Sequence, residues 1–282
     1  MAVISEDHIE QLVIEEFIQL GYQYMNGAEL SPEGLFQERE YHEVVLKQRV
    51  QNAIARINPA IPYEAQEEAL KKLLRSESPN LFQNNYQFHK YLTEGIEIEY
   101  RKSDRIAGDK VWLIDYKNPE NNEFQVINQF TIIENNTNKR PDVLLFINGL
   151  PLVVIELKNA VDENANIQSA FNQLETYKQA IPSLFKYNCL LIVSDGWEAL
   201  YGSLTSSRQY FVPWKSIDGK IVADEDIPQM EVMTLGMLNK QVLLDLIRHF
   251  IVFHKNKEDI TKIVPRYHQY FAVNKAIDTT KK

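Results

Sequence analysis

Hydrophobic positions recur at helical spacing from the start of the chain. In residues 5–20 they are Ile9, Leu12, Val13, Phe17 and Leu20, with Ser5 or Asp7 placed to cap a helix and Gly21 to end it. Residues 36–92 read as further helices. Val44, Val45, Val50, Ile54 and Ile57 form one periodic face, Pro59 and Pro62 punctuate it, and helical stretches at 65–74 and 82–92 follow. At Gly95 the period changes. Residues 96–100 (IEIEY) alternate as a strand, and 111–116 and 124–133 predict two more around a turn at 118–122. Residues 140–159 (RPDVLLFINGLPLVVIELKN) read as two buried strands joined by a turn. A helix over 164–181, stopped by Pro182, leads to an apolar strand at 187–194, a turn at Asp195-Gly196 and short strands near 198–201 and 209–212. Residues 237–254 predict one long apolar helix, followed by a charged stretch at 255–259 and a last unit at 262–282. The pattern predicts an α/β fold with a mixed central sheet and flanking helices.

Composition sets outer bounds. The chain has 282 residues, 44% hydrophobic and 24% charged, enough apolar content for one large domain or two modest ones. A net charge of -9 argues against a protein that coats nucleic acid. It leaves room for an enzyme that touches phosphates at one site, because carboxylates that hold a divalent metal count as negative but are neutralised in the working site. The single cysteine, Cys189, lies in an apolar run and reads as a small buried hydrophobe. With no disulfide framework, the expected setting is a reducing cytoplasm. The N-terminal stretch lacks the apolar region of a signal peptide, and no apolar run approaches the ~20 residues of a membrane span, so no membrane partner is expected. The six histidines lack metal-ligand spacing such as HExxH.

The chemistry concentrates in the hairpin at 140–159, where Asp142, Glu156 and Lys158 interrupt apolar runs. Residues two apart on a strand share a face, so Leu152, Val154, Glu156 and Lys158 lie together, as do Asp142, Leu144 and Phe146. A three-residue loop, Asn148-Gly149-Leu150, sets Ile147 opposite Pro151 and Asp142 opposite Glu156, with Cβ atoms about 4.5–5.5 Å apart on one face. A two-residue loop would put the acids on opposite faces, so the chemistry depends on the register. Two close carboxylates repel unless a cation lies between them, and Mg²⁺ takes hard oxygen ligands and keeps water. A lysine on the same face can hold a phosphate and stabilise developing charge, and acid, acid, lysine and metal together suit phosphodiester hydrolysis. The alternative is a plain ion pair of Lys158 with one of the acids. A rival acid-x-lysine, Asp115-Tyr116-Lys117, lacks an obvious partner acid and reads as strand-end structure.

Pro141-Asp142 followed by Glu156-Leu157-Lys158 resembles the PD-(D/E)xK nuclease signature. The wider stretch is more specific. Asn128-Gln129-Phe130, the hairpin itself and Ala170-Phe171-Asn172-Gln173-Leu174-Glu175-Thr176-Tyr177 resemble, in order, the R subunit of type I restriction enzymes. The resemblance implies a restriction-endonuclease-like core in which Asp142 and Glu156 hold Mg²⁺ and Lys158 is catalytic. The family's Q-xxx-Y element falls on Gln173 and Tyr177. On a helix those two are neighbours, on a stripe with Asn166 and Ala170 beside the core stripe of Ile167, Phe171, Leu174 and Ile181. There Gln173 and Tyr177 would support the site or touch DNA. Nucleases of this class often add a helical Glu from the N-terminal region, for which Glu10, Glu15 and Glu16 are candidates.

Pro265 to Val273 (PRYHQYFAV) resembles the segment that opens the translocase motor of the same subunit, which makes Gln269 the counterpart of an adenine-reading glutamine. No GxxxxGK[ST] phosphate loop occurs, so ATP belongs to the rest of a longer subunit. The expected layout is an N-terminal helical region at 1–94, the nuclease core at 95–232, a connecting helix at 233–260 and the start of the motor at 261–282. The implied activity is Mg²⁺-dependent cleavage of double-stranded DNA, with the modification and specificity subunits as partners. The rivals are a free-standing nuclease of the same signature and a non-catalytic docking module with a nuclease fold.

Overall fold

Ser5 accepts a hydrogen bond from the His8 backbone N–H and starts the first helix, α1 (Glu6–Gln19), whose buried face is Ile9, Val13, Ile14 and Phe17. Gly21 then takes a positive φ of 81° and turns the chain into β1 (Gln23–Asn26). The computed structural model describes residues 5–102, 105–159, 167–256 and 259–281. Three helices follow, α2 (Lys47–Ile57), α3 (Tyr63–Leu74) and α4 (Leu81–Glu94), then the hairpin β2 (Ile96–Lys102) and β3 (Arg105–Val111). Next come β4 (Phe124–Asn128), the small hairpin β5 (Ile132–Glu134) and β6 (Thr137–Lys139), and the central hairpin β7 (Val143–Ile147) and β8 (Leu150–Leu157). The chain continues through α5 (Ile167–Ala180), α6 (Pro182–Lys186), β9 (Leu190–Ser194) and β10 (Ala199–Gly202). It ends with α7 (Gln229–Gly236), α8 (Lys240–Asp245), the hairpin β11 (Val252–Lys255) and β12 (Ile260–Ile263), and α9 (Tyr267–Thr280).

Six strands form one mixed sheet in the order β1-β4-β7-β8-β9-β10. The outer pair β1 and β4 is parallel, the middle of the sheet is antiparallel, and β8 pairs in parallel with β9. Every residue of β7, β8 and β9 is buried, which explains why these strands are apolar on both faces rather than alternating. The α/β architecture with a mixed sheet and flanking helices is the one the pattern predicts.

Several elements differ from the expectation. The strand β1 was not anticipated, because the sequence QYMN at the sheet edge carries little apolar signal. Val44 and Val45 are buried but precede α2. The strand expected at 111–116 lies earlier and ends at Val111, and 124–133 divides at Gln129, whose φ is 52°. The long helix expected over 237–254 is broken. Asn239 caps α8, a π-helical turn at Leu246–Phe250 follows, and the chain leaves as β11. Residues 209–212 contribute a single bridge, Val212 to Tyr201. The start expected for α5 at 164–166, Asn166 included, lies outside the described residues.

The central hairpin reaches the expected facing of its acids by another route. Asn148 and Gly149 both have positive φ, 53° and 81°, and Ile147 pairs with Leu150, so the loop has two residues. A bulge then intervenes. Phe146 pairs with Pro151 but Leu145 pairs with Val153, leaving Leu152 as the extra residue. The backbone carbonyl of Leu152 is used on the other side, accepting from the Cys189 N–H at 2.7 Å. Beyond the bulge the register is Val143 with Ile155, so the next step sets Asp142 across from Glu156. Gly149 is required here, because a Cβ would meet the Leu46 carbonyl oxygen at 2.7 Å.

Candidate active site

Glu156 and Lys158 stand at the end of β8, where the pairing of β8 with β9 closes: the Lys158 N–H donates to the Ser194 carbonyl at 2.8 Å. Asp142 sits just before β7, and its Oδ2 accepts from the Leu157 N–H at 2.7 Å. That bond pins the aspartate to the opposite strand and turns it toward Glu156. Lys158 Nζ donates to Glu156 Oε1 at 3.0 Å and to the Leu157 carbonyl at 2.8 Å, and Glu6 Oε1 of α1 lies 3.7 Å away. Glu156 is 0% exposed, and among the described residues its Oε2 has no hydrogen-bond partner. A buried carboxylate oxygen without a partner is costly, so this atom marks a place that something else completes.

The electrostatics agree. Burial pushes the Asp142 carboxyl up to about 6, partly offset by the Leu157 N–H and the Lys158 charge, while the Glu10 charge adds to the rise. Burial, then the neighbouring Asp142 charge, raises Glu156 well above the usual carboxylate range, against the pull of Lys158. Burial works downward on the Lys158 ammonium, but the charges of Glu156 and Asp142 outweigh it and hold it above its ordinary value. Two acids that resist ionising together, beside a firmly charged lysine, make a site short of positive charge.

Helix α1 supplies the third acid. Glu10 accepts from Asn128 Nδ2 at 2.7 Å, and Asn128 Oδ1 in turn accepts from the Tyr24 hydroxyl at 3.1 Å, so a residue of β4 holds Glu10 near Asp142. Glu15 does not join them. It is exposed and bonded to Gln11 one turn back. Glu16 faces α7, where burial pushes its carboxyl up to about 7, the Thr234 hydroxyl opposing and the Glu231 charge adding. Sequence reasoning missed Glu6, Asn128 and the Ser194 carbonyl. Asn128 carried a signal, being a polar residue that closes a strand of apolar Phe124, Val126 and Ile127.

Helix α5 brings the Gln173 and Tyr177 pair to the same place. Gln173 Nε2 donates to the Tyr177 oxygen at 2.5 Å, and the Tyr177 hydroxyl donates to the Arg140 carbonyl at 3.3 Å. Burial, then the charge of Glu156, raises the Tyr177 hydroxyl far above its ordinary value, so it stays protonated. The core stripe of α5 is as expected, with Ile167, Phe171, Leu174 and Ile181 buried, and Tyr177 is buried too. Gln269 lies elsewhere, on α9, where its side-chain oxygen accepts from the Arg266 N–H at 2.7 Å as a capping box. Cys189 is buried and free.

The residues present fit a divalent ion. Among the described residues no group of three or more His, Cys, Asp or Glu side chains forms a ready metal cage. Asp142 and Glu156 supply two hard oxygen donors, one of them the unpartnered Oε2, and two carboxylates with water are a ligand set Mg²⁺ commonly takes.

Comparison with known proteins shows the family. Residues 3–210 match the family model described as type I restriction enzyme R protein N terminus. The endonuclease subunit of type I restriction enzyme HindI from Haemophilus influenzae is 38% identical over 283 residues, covering 99% of this chain and 27% of that subunit. The MjaIXP endonuclease subunit assigned to a type I restriction enzyme in Methanocaldococcus jannaschii is 32% identical, covering all of this chain and 28% of its own length. The EcoprrI endonuclease subunit from Escherichia coli is 31% identical over 176 residues, 59% of this chain and 52% of that sequence. The chain thus spans little more than a quarter of the first two relatives. No helix among the described residues is long and apolar enough to cross a membrane.

Proposed function

Since the chain belongs to the family of type I restriction enzyme R protein N termini, we propose that it is the DNA-cleaving domain of an R subunit, hydrolysing phosphodiester bonds of double-stranded DNA with Mg²⁺. The observation that carries this reading is the convergence of Asp142, Glu156 and Lys158 around a buried, unpartnered carboxylate oxygen. Asp142 and Glu156 are the metal ligands, and Mg²⁺ supplies charge neutralisation and an acidified water when bound. Lys158 has one N–H beyond its bonds to Glu156 and Leu157, turned to the ion pair with Glu6 at 3.7 Å, and on exchange from Glu6 this donor holds the scissile phosphate and stabilises the negative charge that develops there. Glu10, held by Asn128, is the additional acid. Gln173 orients the Tyr177 hydroxyl, and Tyr177 in turn ties α5 to the backbone at Arg140.

The remaining layout is proposed with it. Residues 1–94 complete the nuclease domain, 95–232 form its core, 233–260 connect and 261–282 begin an ATP-driven translocase. The modification and specificity subunits are the partners that bring DNA to it, in the cytoplasm. Gln269 is the adenine-reading residue of that motor. The test is Mg²⁺-dependent plasmid cleavage by the full-length complex with ATP, wild type against Lys158→Ala. Loss of cleavage with persistent ATP hydrolysis is expected, whereas surviving cleavage overturns the assignment.

A further inference from the structure

Beside the carboxylate cluster lies an open groove of about 690 Å³. Lys139, at the end of β6, and Arg140 form one side, and Asn172, Gln173, Thr176 and Tyr177 of α5 line the other. The chain carries 39 acids against 30 lysines and arginines, yet the described lining of this groove holds no carboxylate. Neither Lys139 nor Arg140 is ion-paired among the described residues. An acidic protein has placed two cations with no ion pair among the described residues close to Asp142, which a neutral or cationic ligand would not reward.

The groove adjoins the site through Arg140, Gln173 and Tyr177. Arg140 directly precedes Pro141-Asp142, and its carbonyl is held by the Tyr177 hydroxyl at 3.3 Å, so its backbone is fixed while its side chain is exposed. Tyr177 lines the groove and also feels the Glu156 charge, so the same side chain borders the groove and lies near the acids. On the far wall, Asn172 Oδ1 is occupied by Gln168 at 2.9 Å, so Asn172 offers its amide N–H₂ group as a donor. Two cations and an amide donor without carboxylates are a phosphate-binding chemistry.

Resting on the nuclease reading above, we propose that this groove seats the sugar-phosphate backbone of the strand being cut, next to the scissile bond. Lys139 and Arg140 neutralise neighbouring phosphates there, without regard to base sequence.

The experiment uses this chain, a fluorescein-labelled duplex of mixed sequence and Ca²⁺ in place of Mg²⁺ to prevent turnover. Fluorescence anisotropy gives the dependence of affinity on salt. Each phosphate contact contributes about 0.9 to the slope of log K against log salt, so Lys139→Ala with Arg140→Ala is expected to lower the slope by about 1.8 and weaken binding roughly tenfold or more at low salt. Arg140→Lys should keep the slope, as should Lys220→Ala, whose side chain is 83% exposed and remote in sequence. Circular dichroism melting checks that the variants fold. An unchanged slope and affinity in the double variant overturns the groove, as does a wild type that fails to bind near ~20 mM salt. Binding that differs strongly between unrelated duplexes overturns the backbone reading. The nuclease reading is decided separately, by the dependence of plasmid cleavage on Lys158.

Discussion

Asp115-Tyr116-Lys117 and Glu156-Leu157-Lys158 have the same acid-x-lysine spelling, and the fold gives them opposite fates. Asp115 satisfies itself locally. Its Oδ1 accepts from the Lys117 and Asn118 N–H groups at 3.0 Å each, and its Oδ2 accepts from Asn121 Nδ2 at 2.9 Å. Burial works upward on this carboxyl, but those hydrogen bonds outweigh it and hold it below its ordinary value. Lys117 is exposed. Glu156 instead lies wholly buried against a second acid, raised by burial and by that acid, with one oxygen unpartnered. The difference teaches that the motif is common and the unmet valence is the informative part. A turn uses up its carboxylate, whereas a site leaves one open.

The largest effect that tests this contrast is catalytic. Lys158→Ala should lower DNA cleavage by the full-length complex on the order of 10³-fold, or ~4 kcal/mol of transition-state stabilisation, as for loss of a charge-stabilising donor. Lys117→Ala should stay within about twofold, as exposed substitutions do. Comparable losses in both, measured as initial rates of linear product at saturating ATP, would erase the distinction.

Stability should separate the two acids by sign. Asp115→Ala removes the acceptor for three hydrogen bonds and should destabilise the chain by about 1–3 kcal/mol. Glu156→Gln removes a buried charge with no metal to compensate it, and should stabilise the metal-free protein by roughly 1–2 kcal/mol while abolishing cleavage. Urea denaturation at pH 8 without divalent ions reads both. A destabilised Glu156→Gln would mean that the charge is structural and already balanced by Lys158.

The hairpin was legible in the sequence only up to a point. Its strands, its acids and its lysine follow from apolar runs and their interruptions. Asn148-Gly149 is a strong two-residue turn signal, but alone it sends Asp142 and Glu156 to opposite faces. The bulge at Leu152 restores them to one face, and its carbonyl pairs with the Cys189 N–H of the neighbouring segment, a long-range contact that no local pattern reveals. The same limit explains the other departures. The apolar residues at 242, 243, 246, 247 and 250 keep helical spacing, so the break of 237–254 into α8, a π-turn and β11 is set by packing rather than by the local pattern. Glu10, Glu15 and Glu16 are indistinguishable until α1 is placed against β4 and α7, because the helix pattern gives a buried stripe but not its neighbours.

The metal should reverse the pH profile. Asp142 has a raised folded pKa, about 6, so its contribution to metal-free stability is fully present below its unfolded value near 3.8 and lost as pH rises through 6. Asp115, depressed in the fold, behaves oppositely: its contribution is present above the unfolded value and lost as pH falls through the folded one. Mg²⁺ needs both site carboxylates ionised, so at ~100 times its dissociation constant it should stabilise by about 2.7 kcal/mol at pH 8, and by much less at pH 5. Thermal melts with and without Mg²⁺ at the two pH values give the comparison. Equal shifts at both would place the ion away from Asp142.

The smallest effect refines the contrast within a single helix. Glu10 and Glu15 are both acids of α1, but Glu10 is held by Asn128 within electrostatic reach of Asp142, and Glu15 is exposed beside Gln11. Glu10→Gln removes one of the charges that raise Asp142, so the apparent pKa of the acid limb of cleavage should fall. The same substitution removes the additional acid of the site, and the plateau rate should drop about 5–10-fold, a loss of ~1–1.4 kcal/mol. Glu15→Gln should leave both limb and plateau unchanged. The paired readout matters because a merely structural Glu10 would lower the plateau through instability without moving the acid limb. Asn128→Ala, which frees Glu10 without neutralising it, should lower the plateau and leave the limb closer to wild type.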